Sequence, residues 1–131
     1  RHLKAMVTTP TVPVVTPMLQ PAARALARRV GLFGRVVERV LITHREAVLD
    51  RQLILERIAD AAIALTTSAC TLARIDAATA LHAARDDERA AAELYLRMAG
   101  KRFDDALRGI HKNHDRETLE AARAVIRRTP G

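Results

Sequence analysis

Few side chains in this sequence have the type and spacing to do chemistry. His111 and His114 stand three residues apart, with Asp105 and Asp115 near them in the chain. A histidine pair at that spacing can face one metal ion, but such pairs sit inside apolar bundles. These two fall in a polar stretch between two helical patterns, and no Glu-x-x-His pair accompanies them. Solvated turn histidines are the expectation, so no metal ligand is assigned. Cys70 lies among Thr66, Thr67, Ser68, Ala69 and Thr71. A reactive thiolate needs an electropositive, partly exposed setting, whereas Cys70 reads as a small packed residue. Neither a glycine-rich phosphate loop nor a Gly-x-Ser-x-Gly elbow occurs, so no catalytic residue is assigned.

The segment Pro21 to Val40 is the most suggestive. It carries Arg24, Arg28, Arg29, Arg35 and Arg39 against Glu38 alone, with Leu26, Val30, Leu32, Phe33 and Val37 interleaved. A basic amphipathic helix can lie on an anionic bilayer or bind an acidic groove of a partner. The plainer reading is a core-facing helix with a solvated arginine face. Arg57 and Asp60, three apart, read as a surface ion pair worth a few tenths of a kcal/mol. Either would matter more if buried, because it would then need a partner.

Composition bounds what these residues can belong to. The chain has 131 residues with 49% apolar content, enough for one core, and 25 of the residues are alanine. Only Phe33, Tyr95 and Phe103 are aromatic. That excludes the stacking platforms of single-stranded nucleic-acid binders and argues against a large sandwich or barrel. Alanine, leucine, arginine and glutamate favour helix, which makes an all-α fold the expectation. The net charge is +7, from 19 arginines and three lysines against 15 acids. An anionic surface or acidic partner fits that charge. The single Cys70 allows no intramolecular disulfide, so a reducing compartment is expected, cytoplasmic or peripheral on the inner face of a membrane. No run of about 18 uncharged apolar residues occurs, so no membrane crossing is expected. The first residue is Arg1, which suggests a processed product or part of something longer.

Pro10, Pro13, Pro17 and Pro21 exclude a helix over residues 8–21 and favour an extended linker, while Arg1 to Val7 reads as the tail of a preceding helix. Residues 1–20 are therefore read as a linker after a missing N-terminal core, and 21–131 as the helical domain. Pro21 suits a helix start. Leu26, Val30, Phe33, Val37 and Leu41 follow at helical spacing, with a break or kink expected at Gly31 and Gly34. From Val36 to Ala80 the pattern stays helical without proline or glycine. One rod of that length would span about 65 Å, so a turn is expected near His44 to Asp50. Beyond it, Leu55, Ile58, Ala62, Leu65, Ala69 and Leu72 form an apolar stripe, with Ala59, Ala62, Ala69 and Ala73 small enough for close helix approach. His82 to Asp87 is a polar break in which Asp86 or Asp87 can cap a third helix. That helix carries Leu94, Met98, Ala99, Phe103, Leu107 and Ile110, and a last one carries Leu119, Ala122, Val125 and Ile126. Together these predict an antiparallel bundle of about four helices behind a proline-rich extended linker.

The stretch from Leu41 to Leu72, continuing to Arg74, resembles the extra C-terminal helical domain of very-long-chain acyl-CoA dehydrogenase-like flavoproteins. The matching elements are His44, Gln52, Leu55, Arg57-Ile58-Ala59-Asp60, Ile63, Leu65, Leu72 and Arg74. The resemblance implies that Arg1 to Met6 follow the last helix of a dehydrogenase core. That core would oxidise fatty acyl-CoA with FAD and a glutamate base, both outside this chain, so no cofactor is expected here. In the family the domain is tied to membrane association, dimer support and partner binding. Its implied partners are the dehydrogenase core, a second copy and an anionic membrane, whereas nucleic acid is not expected. The alternative is a free-standing basic helical adaptor for an acidic protein or nucleic acid.

Overall fold

A computed structural model describes residues 10–43, 48–111 and 115–128. A short 3-10 turn, Pro17–Leu19, leads into α1 (Gln20–Thr43), α2 (Val48–Ala80), α3 (Asp86–His111) and α4 (Asp115–Arg128). The described residues contain no strand. The fold is all-α, as composition and periodicity predict.

Two apolar clusters define the topology. One joins Val36 and Val40 of α1, Ile54, Ala61 and Ala64 of α2, and Phe103, Leu107 and Ile110 of α3. The other joins Leu19, Ala23 and Leu26 with Leu72 and Ile75, and Ala92 and Leu96 pack against it. The end of α1 therefore meets the start of α2 and the end of α3. Consequently α1 and α2 are antiparallel, as are α2 and α3. The α2–α3 pair is the most intimate, and α1 lies across both. Phe103 is 1% exposed, and its ring meets Phe33 with centroids 6.3 Å apart at 53°, a tilted pairing that suits two quadrupoles.

Several details depart from what the pattern predicts. Glycines 31 and 34 do not break α1, which runs through both. Side chains on either side of them anchor the helix in the clusters, and this outweighs a propensity cost of about 1 kcal/mol per glycine. Gly31 also faces the N-terminal segment, since a Cβ there would stand 3.4 Å from Pro10 Cδ. The buried face of α2 is offset from the expected stripe. Ile54, Ala61, Ala64, Ser68, Leu72 and Ile75 are buried, while Leu55 and Ala69 are exposed. The alanines in close approach are accordingly Ala61 and Ala64, not Ala59, Ala69 and Ala73, which are exposed. A helix apolar over most of its girth leaves its inward face to its neighbours. The acids Asp86, Asp87 and Glu88 occupy the first turn of α3 rather than the cap, where they complement the helix dipole. Leu94, Met98, Val125 and Ile126 are half exposed or more.

The turn expected near His44 to Asp50 falls partly on residues 44–47, which lie outside the described residues. The helices flanking them are separate and packed together. At its other end α2 closes in a Schellman motif. His82 takes φ 55°, its N–H donates to the Thr79 carbonyl at 3.0 Å, and the Ala83 N–H donates to the Ala78 carbonyl at 2.8 Å. By length and composition alone, Gln52–Ala80 could cross a membrane, contrary to the sequence expectation. Its uncharged run covers only residues 61–73, and its buried positions face α1 and α3. About 28% of its most apolar window is buried in this packing.

The segment before α1 docks on the end of α2. Val12 and Val14 pack against the second cluster. The Asp76 carboxylate accepts the N–H groups of Val15 at 3.0 Å and Thr16 at 2.9 Å. Burial pushes the Asp76 carboxyl up, but the Thr16 side chain and these two N–H groups outweigh it, and the pKa lies below the ordinary 3.8. A carboxylate with a depressed pKa stabilises the docked state above its unfolded pKa, and that stability is lost as pH falls through the folded value. Amide exchange at Val15 and Thr16 should therefore accelerate as pH drops below the ordinary aspartate range, after correction for intrinsic rates. Asp76→Asn should show fast exchange at neutral pH and lose this dependence. An unchanged pH profile in Asp76→Asn would show that the carboxylate does not hold the segment.

Candidate functional site

α1 and α3 run parallel on top of α2 and meet each other only lightly. Between them lies an open groove of about 670 Å³. Its floor is Ala64, Leu65 and Ser68 of α2, with Ala22, Ala25 and Leu26 on one wall and Leu96, Gly100 and Phe103 on the other. Small residues keep the groove wide because they leave the space between two helix backbones unfilled. Its rim is charged.

Arg29 bridges the groove at one point. Its guanidinium donates from Nε to Asp104 Oδ1 and from Nη2 to Asp104 Oδ2, both at 3.1 Å. The fork is planar and bidentate, the geometry that makes arginine the better partner for a carboxylate. Gly100 makes it accessible, because a Cβ there would stand 3.0 Å from Arg29 Cζ and Nη2. Arg29 therefore lies on bare α3 backbone. Farther along the rim, Asp105 accepts from Lys101 at 2.7 Å and from Arg108 at 2.9 Å. The Lys101 hydrogen bond is the largest influence holding the Asp105 carboxyl below its ordinary value. Burial opposes it, and the Lys101 charge and Arg108 add to the depression. The rim charges are thus largely compensated, so the groove is apolar within and nearly neutral at its edge.

The residues singled out by sequence scatter around this groove. Arg29 belongs to it. Arg24, Arg28, Arg35 and Arg39 are exposed, and at ~100° per residue they share an arc of roughly 60°. That arc faces away from Ala23, Leu26 and Val36, which are buried, so the arginine face is the exposed one. Arg57 is half buried against Gly109, where a Cβ would stand 2.8 Å from its Nε. Gln52, Asp60 and Arg74 are exposed. His44 and His114 lie outside the described residues. Cys70 is exposed rather than packed, because α2 turns it away from both neighbours. No group of three metal-ligating side chains occurs among the described residues.

The sequence reading missed Asp76, Asp104 and Gly100. A signal for the last two was present: a mid-helix glycine is costly, and one lying four residues before an acid marks a place where something else approaches.

A protein-family model described as the C-terminal domain of ACAD9/ACADV matches residues 17–129. No curated protein and no solved structure matches the chain.

Glycine at position 100 trades helix propensity for the Arg29 contact. With Arg29 and Asp104 side chains 31% and 45% exposed, the pair contributes about 0.5–1 kcal/mol. Gly100→Ala should therefore leave stability within about 1 kcal/mol of the parent, since the gained propensity offsets the lost bridge. In an Arg29→Ala background the same change should stabilise by about 1 kcal/mol. Urea denaturation of the four-member cycle measures the coupling, and additive effects would show that the glycine does not serve the arginine.

Proposed function

We propose a packing role for this chain, which belongs to the ACAD9/ACADV C-terminal domain family. It is a non-catalytic helical domain of an acyl-CoA dehydrogenase, and its work is association: with the dehydrogenase core and with a second copy. The observation that supports this most directly is the groove over α2. It is apolar within, nearly charge-balanced at its rim, and crossed by the Arg29–Asp104 pair.

The oxidation of fatty acyl-CoA, with its FAD and its catalytic glutamate, is assigned to the core. The residues of this chain do not fit a flavin. Gly31, Gly34, Gly100 and Gly109 all lie within helices, so none shapes a phosphate loop. Arg29, Lys101 and Arg108 are already paired with carboxylates.

Membrane docking is the second reading, favoured by the arc of Arg24, Arg28, Arg35 and Arg39. Because Ala23, Leu26, Val36 and Val40 of α1 are buried, this docking would be chiefly electrostatic, at the surface of a reducing compartment's membrane.

The packing role is tested by adding this chain to the dehydrogenase core expressed without it. Co-elution in size-exclusion chromatography, with a gain in thermal stability of the core, is expected; independent elution would remove core packing. For the membrane, sedimentation with phosphatidylserine vesicles should exceed that with phosphatidylcholine, fall with salt and be abolished by Arg24→Glu, Arg28→Glu and Arg35→Glu together. Equal binding to both lipids would remove it.

A further inference from the structure

We infer that one end of the groove between α1 and α3 binds a small amphiphile, whose anionic head is held by Ser68, Arg29 and Arg97. This goes beyond the packing role above and does not depend on it.

Ser68 carries the inference. It is 7% exposed and lies on the groove floor. A serine or threonine inside a helix commonly returns its hydroxyl to a carbonyl one turn back. Thr66 does so on Ala62 at 2.9 Å, and Thr67 on Ile63 at 2.9 Å. The Ser68 hydroxyl makes no hydrogen bond among the described residues, although an unpaired buried hydroxyl is costly. Its open side is the groove, so its partner enters from there.

Two further donors line the same space. Arg29 spends Nε and Nη2 on Asp104 and keeps Nη1, which lies over Gly100, without an acceptor. Arg97 stands on the rim and forms no ion pair among the described residues. The acids do not cancel these cations. Arg29, Arg97, Lys101 and Arg108 face Glu93, Asp104 and Asp105. Asp104 is committed to Arg29, and Asp105 is shared by Lys101 and Arg108. Glu93 is exposed one turn from Arg97 and does not bond it. The surplus is a single positive charge, which one anionic head neutralises.

The rest of this end is apolar. Ala22, Ala25, Leu26 and Leu96 lie on one side of the Arg29–Asp104 pair, toward the starts of α1 and α3. The pair therefore closes the far end of a short chamber. Along α3 that chamber runs from Glu93 to Gly100, roughly 10 Å at 1.5 Å per residue. A short alkyl tail fits that length. The whole groove, at about 670 Å³, has the size of small-molecule sites.

The test titrates the whole chain, by isothermal calorimetry, with octyl sulfate below its micelle concentration. Octanol, with the same tail and no charge, is titrated in parallel. One octyl sulfate should bind per chain, about fivefold more tightly than octanol. Arg97→Gln should erase most of that preference and leave octanol binding unchanged. Ala25→Phe should fill the chamber and abolish binding of both while keeping the helical circular dichroism. Ser68→Ala should weaken octyl sulfate about threefold, yet raise the urea midpoint of the free chain, because it removes an unpaired hydroxyl and adds helix propensity. A lowered midpoint would show that Ser68 is a structural residue and overturn its role. Equal binding of the two ligands, or none, would overturn the anion site. So would binding that Ala25→Phe leaves intact, since the ligand would then sit on another face.

Discussion

The contact between α2 and α3 carries the architecture. Ala61 and Ala64 are 0% and 1% exposed, and Phe103 fills the space their missing bulk leaves. Two helices approach closely only where side chains are small, and one large ring then closes the remaining gap. This seam sets where α1 can lie, which face of α2 turns outward, and how far apart α1 and α3 must stand. The groove is the remainder of that arrangement. α2 supplies a floor of alanine, leucine and serine, and among the described residues α4 contributes none of the lining.

Around that seam the polar contacts tie helices together at their edges. Arg29 crosses to Asp104, and Asp76 holds the approach to α1. Both depend on backbone made accessible, at Gly100 in one case and at the extended Val15 and Thr16 in the other. Arg57 repeats the first device at Gly109. α3 therefore carries two bare patches of backbone, each covered by an arginine from a neighbouring helix. Such contacts combine the packing of a guanidinium stem with the directionality of its fork.

Helix content, approximate helix limits and the family were legible in the sequence. Alanine and leucine periodicity located the helices, and the Leu41 to Arg74 stretch carried the resemblance that the family match over residues 17–129 supports. The groove was not legible. Its lining residues come from α1, α2 and α3 and look like ordinary core alanines when read singly. The Arg24 to Arg39 cluster was visible as charge, but its division was not. One of its arginines turned to a carboxylate 75 positions away, and the others are exposed.

By itself the sequence determined an all-α chain with a proline-rich approach to its first helix and a seamless, alanine-rich second one. Local propensity and proline geometry suffice for that, because they act within a few residues. Only the tertiary structure decided which face of α2 is buried, since an alanine-rich helix presents nearly equivalent faces until neighbours choose one. It also decided that Leu119, Val125 and Ile126 stand outside the core their spacing suggested. An apolar stripe shows that a helix needs a partner, whereas the partner is chosen by shape and space elsewhere in the fold.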